Sequence, residues 1–480
     1  MNGQSQNPIR HVVFLMLENR SFDQMLGDFT KIYPGLEGVD QQNPRFNVDR
    51  DGTKIYQRAT TERRVWCDPF HYVPNVAAQM ADSMGGFIRD FTKNFPKSTP
   101  EERQYVMGYF PLDFLPATHA LGRDFLICDR WHSSVPGPTW PNRFFSLSGT
   151  SRGRVAMPND GIHGFNLAKW FQQGEKTIFD RLNEKGISWK SYFHDVPLSW
   201  VIDSLREPEN AAHYYGIANF FEDAAGPESA FPSFVHIEPS YQGIDQNDDH
   251  PPHDIMKGQK LVADIYNALR ANEELFNSTL FVITYDEHGG FYDHVVPPDA
   301  VAPDRHHEEF KFTQLGVRVP ALLISPWVKR GYDSTLFDHT SLLKYLIELW
   351  DLGPLGQRTA AANSIGALIG NGDGPRTDTV AVIDLTPEQL SPTDSQDLNE
   401  AANHVSDLTV ATTFLGNFFG KSLGFILPRD YTRRARIWEW IKRRAMWFFR
   451  KPDYLGQYNR LKDTAAQYSE QSRSAKRTGT

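Results

Sequence analysis

The chain has 480 residues, with 50 Lys and Arg against 59 Asp and Glu and a formal net charge of −9. Hydrophobic residues at 40% and charged residues at 23% exclude a fully disordered chain, and the acidic balance makes nucleic acid a poor partner. Two cysteines, Cys67 and Cys128, exclude a disulfide scaffold and a Cys-rich zinc site, leaving one disulfide at most.

In chain order, the first element is the apolar run 12–17, which stops abruptly at Glu18. It is too short and too quickly followed by polar residues for a secretory core, and no apolar run approaches the roughly 20 residues of a membrane-spanning helix. The expectation is a soluble or peripheral chain, cytoplasmic or exported without a cleaved signal. Runs 234–237, 281–285 and 321–325 are also unbroken, the pattern of strands covered on both faces. Helical patterning falls between them at 177–185, 253–272 and 340–350. This alternation predicts an α/β sandwich with a mostly parallel sheet, whose chemistry gathers beyond the carboxyl ends of the strands. Segments 30–65 and 200–230 read as excursions, 354–405 as a loop-rich linker, 406–464 as a largely helical basic segment and 465–480 as a polar tail.

Four polar blocks carry chemistry. Glu18-Asn19-Arg20-Ser21-Phe22-Asp23 offers a carboxylate and an amide oxygen to a hard cation, or a helix start capped by Asn19 or Ser21. Asp286-Glu287-His288-Gly289-Gly290 puts adjacent carboxylates at a strand end, where a cation is a natural partner and the glycines let backbone turn closely. In 134–143, Pro136, Pro138 and Pro141 stiffen a loop bearing Thr139, Asn142 and Arg143. A hydroxyl held there beside a metal can serve as a nucleophile, or simply bond backbone. Asp248-Asp249-His250-Pro251-Pro252-His253-Asp254 places imidazoles on a stiffened stretch, as ligands or donors or as a helix cap. Asp338 and His339 read as another cap.

These blocks resemble the bacterial phosphoesterase family that holds phosphatidylcholine-type phospholipases C and the respiratory-burst-inhibiting acid phosphatase. HVVFLMLENRSFDQMLG at 11–27, SSVPGPTWPNRFFSLSGT at 133–150, DDHPPHDI at 248–255, FVITYDEHGGFYDHVVPP at 281–298, GVRVPALLISPWVKRG at 316–331 and FDHTSLLKYLIELW at 337–350 occur in family order. The resemblance implies an alkaline-phosphatase-like three-layer α/β/α sandwich for a catalytic domain over 8–353, with a C-terminal helical extension. It implies a metal held by Glu18, Asn19, Thr139, Asp286 and Glu287, with Thr139 as the nucleophile. The phospholipase branch carries threonine there and the acid phosphatase branch serine. His250, His71 and His253 are the implied catalytic imidazoles, with His288, His294, His194 and Arg143 as further phosphate or substrate contacts. The implied reaction is glycerol-side cleavage of a phospholipid through a phospho-threonine intermediate. Alternatives are phosphomonoester hydrolysis and a non-catalytic lipid- or protein-binding factor. Oxygen donors suit Ca²⁺, Mg²⁺ or Mn²⁺, and adjacent histidines tilt the expectation to Zn²⁺.

Residues 433–451 hold eight Lys or Arg against Glu439 alone. Plotted as a helix, Ile437, Ile441 and Phe448 share a face edged by Trp438, Trp440 and Trp447, with Arg443 among the charges opposite. That profile fits either an interfacial helix on a peripheral membrane surface or a face packed on the catalytic domain. Oligomeric state is not encoded in any of these patterns.

Overall fold

The computed structural model describes residues 7–391, apart from 66, 156, 158–174, 242–245, 308 and 371–373. The basic strip, with its proposed membrane contacts, therefore lies outside the described residues. So do segments 406–464 and 465–480.

An eight-stranded sheet organises the domain. In chain order its strands are β1 (His11–Leu17), β2 (Leu126–Cys128), β3 (Trp189–Phe193), β4 (Tyr214–Gly216), β5 (Phe234–Glu238), β6 (Thr279–Tyr285), β7 (Ala321–Ile324) and β8 (Gly331–Asp333). Their spatial order is β8-β2-β7-β6-β1-β5-β3-β4. Every residue of β1, β5, β6 and β7 is buried. Successive side chains point to opposite faces, so complete burial means that both faces are covered. The result is the expected α/β sandwich with a mostly parallel sheet. One strand departs from the expectation: β7 runs antiparallel to both β6 and β2. Its following residues, Ser325 and Pro326, therefore leave from the opposite edge of the sheet. Segment 200–230 supplies the edge strand β4, in parallel register with β3.

Local sequence sets the helix ends. Thr177 and Asp180 form a capping box for the helix Ile178–Lys185. Asp254, rather than Asp249 or His250, caps the helix Ile255–Ala271 through the Met256 N–H. Asp338 caps the helix His339–Trp350. A second, smaller core of Val65, Val76, Phe87, Phe91, Val106 and Phe291 packs beside the main one. Cys67 and Cys128 are both free and buried.

Candidate active site

The centre of the sheet delivers the first four ligating candidates. Glu18 and Asn19 follow β1 directly, and Asp286 and Glu287 follow its neighbour β6. Three backbone bonds lace the loops together: Asp286 N–H to Leu17 O at 3.0 Å, Arg20 N–H to Glu287 O at 3.0 Å, and Glu18 N–H to Asp248 O at 2.8 Å. Asn19 adopts φ +58°, a left-handed conformation that Asn tolerates better than most residues. Gly289 sits at φ +64°, and a Cβ there would lie 2.4 Å from the Asn19 carbonyl oxygen. Only glycine permits that approach.

Thr139 begins the helix Thr139–Ser148, with Pro138 at the cap position. Asn142 fixes the loop ahead of it. Its Oδ1 accepts from Val135 N–H at 2.9 Å, and its Nδ2 donates to the carbonyls of Val135, Gly137 and Pro138 at 3.1, 3.0 and 3.2 Å. The Thr139 hydroxyl donates to Glu18 Oε2 at 3.1 Å. One helical turn on, Arg143 Nε donates to Glu18 Oε1 at 2.7 Å and Nη2 to Met16 O at 3.0 Å. Arg143 thus spends its fork on the protein.

The backbone N–H of Asn19 donates to Asp286 Oδ1 at 3.0 Å, and its Nδ2 lies 3.5 Å from His71 Nε2. His71 Nε2 also lies 3.7 Å from Glu287 Oε1. His71 donates its Nδ1–H to Pro69 O at 2.8 Å, and His250 does the same to Pro251 O at 2.5 Å. Both imidazoles therefore carry a proton on Nδ1 and turn Nε2 toward the cluster. Their ring centroids are 6.4 Å apart, and His253 stands 5.9 Å beyond His250 with its Nδ1 on Asp248. The structure thus brings Glu18, Asn19, Thr139, Arg143, Asp286, Glu287, His71, His250 and His253 into one connected group.

Three imidazoles stand elsewhere. His288 Nε2 pairs with Gln79 Oε1 at 2.8 Å, and its Nδ1 lies 3.3 Å from Glu287 Oε2. His194 donates to Glu238 O at 3.2 Å, with Nε2 3.5 Å from Asn247. His294 Nδ1 donates to Asp23 Oδ2 at 2.8 Å, in a cluster with Asp293. These three groups are close enough to share an ion, but Arg318 already fills that place. Its Nε donates to Asp293 Oδ1 at 2.9 Å and its Nη2 to Asp23 Oδ1 at 3.0 Å. Ser21 caps the short helix Phe22–Leu26 that carries Asp23.

The implied divalent cation can be tested against the buried polar atoms. Among the described residues, Asn19 Oδ1, Asp286 Oδ2 and Glu287 Oε1 are buried without a hydrogen-bond partner. Orphaned buried oxygens are costly and rare, and three hard oxygens on touching residues are what a divalent cation accepts. Charge agrees. Burial pushes Glu287 up to about 8, although His71 opposes it. Burial also holds Glu18 well above the usual carboxylate range, outweighing Arg143. The residues present fit a cation.

Several partners are invisible in the motifs. Asp68 stands 3.9 Å from His250 Nε2 and 4.0 Å from His71 Nδ1, and Tyr285 donates to Asp249 Oδ2 at 2.6 Å. His339 donates Nε2–H to Asp286 O at 2.7 Å and accepts from Trp131 Nε1–H at 3.3 Å, steadying the Asp286 backbone. Arg143 also lines a small pocket with Trp140, Phe144, Leu198, Ser199, His236 and Glu238. Asp249, Tyr285 and His339 lie inside the polar blocks of the sequence, but their pairings do not show there, and Asp68 and Trp131 lie outside those blocks.

A parallel sheet with carboxylates, a rigid hydroxyl and imidazoles at its carboxyl edge defines a phosphoric ester hydrolase. The phosphoesterase family model matches residues 9–353, and the chain belongs to that family. It is 34% identical over 472 residues to non-specific phospholipase C6 of Arabidopsis thaliana, covering 90% of this chain and 87% of that one. It is 27% identical over 408 residues to a non-hemolytic phospholipase C of Pseudomonas aeruginosa, covering 74% of this chain and 57% of that protein. A solved structure it is similar to is an alkaline phosphatase superfamily protein from Vibrio parahaemolyticus, at 11% identity and TM-score 0.32 over 67% of this chain and 84% of the other. No helix among the described residues is long and apolar enough to cross a membrane.

Proposed function

We propose that the protein is a metal-dependent phospholipase C that cleaves the glycerol-side phosphodiester bond of phospholipids, with Thr139 as its nucleophile. The observation that carries this reading is the Thr139 hydroxyl on Glu18 Oε2 beside three orphaned oxygens. Asn19, Asp286 and Glu287, with Glu18 and Thr139, would hold a divalent cation, which supplies charge to lower the hydroxyl pKa and to neutralise phosphoryl oxygens. Zn²⁺ is the preferred ion in this reading because imidazoles adjoin the oxygens, with Ca²⁺, Mg²⁺ and Mn²⁺ as the comparison set.

Glu18 orients the Thr139 oxygen, and Arg143 orients Glu18. The Thr139 oxygen, passing its proton to Glu18 Oε2, attacks phosphorus in line as the bond to the diacylglycerol oxygen breaks; water then breaks the bond between phosphorus and Thr139, releases the phosphorylated headgroup and returns a proton to Thr139. His250 is the assigned proton carrier. Burial, with His253 and His71 nearby, pushes its imidazole well below the usual value. The imidazole therefore rests neutral, and a bound phosphate anion raises its proton affinity so that it can protonate the departing alcohol.

For the headgroup we take choline, the class that the family resemblance implies. Glu238 nearby is fully buried, and four donors fill its acceptor positions: Leu198 N–H, Ser199 N–H, Ser199 Oγ and Tyr241 OH, at 2.8, 3.1, 2.6 and 3.2 Å.

The test is turnover of p-nitrophenyl phosphorylcholine, p-nitrophenyl phosphorylethanolamine and p-nitrophenyl phosphate, each with and without chelator. The choline diester is expected to be fastest. Preference for the monoester would overturn the phospholipase reading in favour of an acid phosphatase, and no turnover of any would favour a binding factor.

A further inference from the structure

We infer that the hairpin formed by Phe46–Val48 and Lys54–Tyr56 is a docking surface for a phospholipid bilayer. The inference goes beyond the cleavage chemistry and concerns residues other than those of the basic strip. The two strands pair antiparallel, with Phe46 opposite Tyr56. Alternation then splits the hairpin into two faces. Asn47 is buried and bonds Met84 O at 3.1 Å, and Ile55 packs on the second core. Phe46 and Tyr56 point to the other face. They are 40% and 45% exposed, with ring centroids 5.3 Å apart. Lys54 Nζ sits 4.2 Å over the Phe46 ring.

Exposed aromatic side chains are rare in this molecule. Among the described residues only four are large and exposed: Phe46, Tyr56, Phe70 at 41% and Tyr215 at 37%. Phe46 and Tyr56 share the hairpin, and Phe70 packs against Phe95 on the same second core. Phe70 immediately precedes His71 of the active site. The hairpin is tied to the site segment as well, since Gln57 Nε2 donates to Asp23 Oδ2 at 3.0 Å.

Charge selects the occupant. Residues 45–58 carry Arg45, Arg50, Lys54 and Arg58 against Asp49 and Asp51, while the whole chain is −9. Asp49 is spent internally on Arg103 and Thr92. A locally basic hairpin on an acidic body is drawn to an anionic surface that repels the remainder, which orients the approach. Paired aromatic rings backed by a cation match the headgroup boundary, where an amphipathic ring buries its body and keeps its polar edge wet.

The experiment uses the full chain. Wild type and the double variant Phe46→Ala/Tyr56→Ala are sedimented with vesicles of phosphatidylcholine containing about a third phosphatidylserine, and both are assayed on p-nitrophenyl phosphorylcholine. The double variant should lose about tenfold in vesicle partitioning, keep its turnover of the soluble ester and keep its melting temperature. Tyr215→Ala, from the far edge strand, should bind as wild type does. The single variant Phe46→Trp should show a blue-shifted, bromolipid-quenched emission on vesicles. Unchanged partitioning in the double variant would overturn the inference. So would a double variant that shifts from dimer to monomer by light scattering, which would make the patch a contact between copies. Partitioning needs no turnover, so an inactive wild type that still binds vesicles sinks the phospholipase reading and leaves the docking surface standing.

Discussion

Two acidic clusters lie close together and differ in who supplies the counter-charge. Asp23 and Asp293 are bridged by Arg318, with His294 completing the set, and all their charge is met from within the chain. Among the described residues the one permanent cation at Glu18, Asp286 and Glu287 is Arg143, which reaches Glu18; His71 and His288 stand near Glu287, and one oxygen each on Asp286 and Glu287 stays orphaned. The titration of Asp23 reflects this. Burial would raise it, yet His294 and Arg318 hold it well below the usual carboxylate range, whereas Glu287 is pushed up to about 8. Proximity of carboxylates does not make a cation site; unmet demand does.

The largest effect that sharpens this contrast is on catalysis. Thr139→Ala should lower kcat/KM on p-nitrophenyl phosphorylcholine by at least about a thousandfold, while circular dichroism and melting stay as in wild type. Retention of more than about a hundredth of the activity, a loss under roughly 2.7 kcal/mol, would remove Thr139 from its role. The balanced cluster should instead fail in stability. Arg318→Met leaves Asp293 buried without its cation and Asp23 with His294 and Gln57 only, and denaturant melts should show a loss of about 3–5 kcal/mol. A cation titration then separates the two directly. Zn²⁺ or Ca²⁺ at about a hundred times its Kd should stabilise wild type by roughly 2.7 kcal/mol in thermal melts. Asp286→Asn/Glu287→Gln should abolish that shift and Asp23→Asn should keep it; the reverse pattern would exchange the two roles.

The smallest effect is on pH. His119 donates Nε2–H to Met25 O at 2.8 Å, and burial lowers it from 6.5 to about 4. The unfolded imidazole takes a proton that the folded one refuses, so its contribution is complete above 6.5 and is lost as pH falls toward 4. Melts of His119→Gln should show a shallower decline across that window than wild type.

The strands were legible because a sheet covered on both faces needs unbroken hydrophobic runs, and 12–17 and 281–285 have them. The site blocks were legible because polar residues interrupt those runs where the chain leaves the sheet. Long-range pairing was not. Nothing near 321–324 says that β7 runs backwards, and Tyr214–Gly216 is too short to stand out as a strand. His288 and His294 look like substrate groups beside Glu287, but Gln79 and Arg318, which engage them, lie far off in sequence. His339 reads as part of a helix start and turns out also to steady Asp286. Each case depends on a partner that only folding selects.

Asn142 has a consequence for sequence variation. One side chain there accepts from one N–H and donates to three carbonyls in the loop before Thr139. Aspartate matches its shape but would face three carbonyl oxygens with negative charge, and glutamine is a methylene too long for the same set. The loop is therefore written by a position with no near-synonym among the amino acids. Much of the hydrophobic core can be exchanged for residues of similar volume, but drift at 142 has nowhere to go, and an engineered relative that alters the loop must rebuild four hydrogen bonds at once.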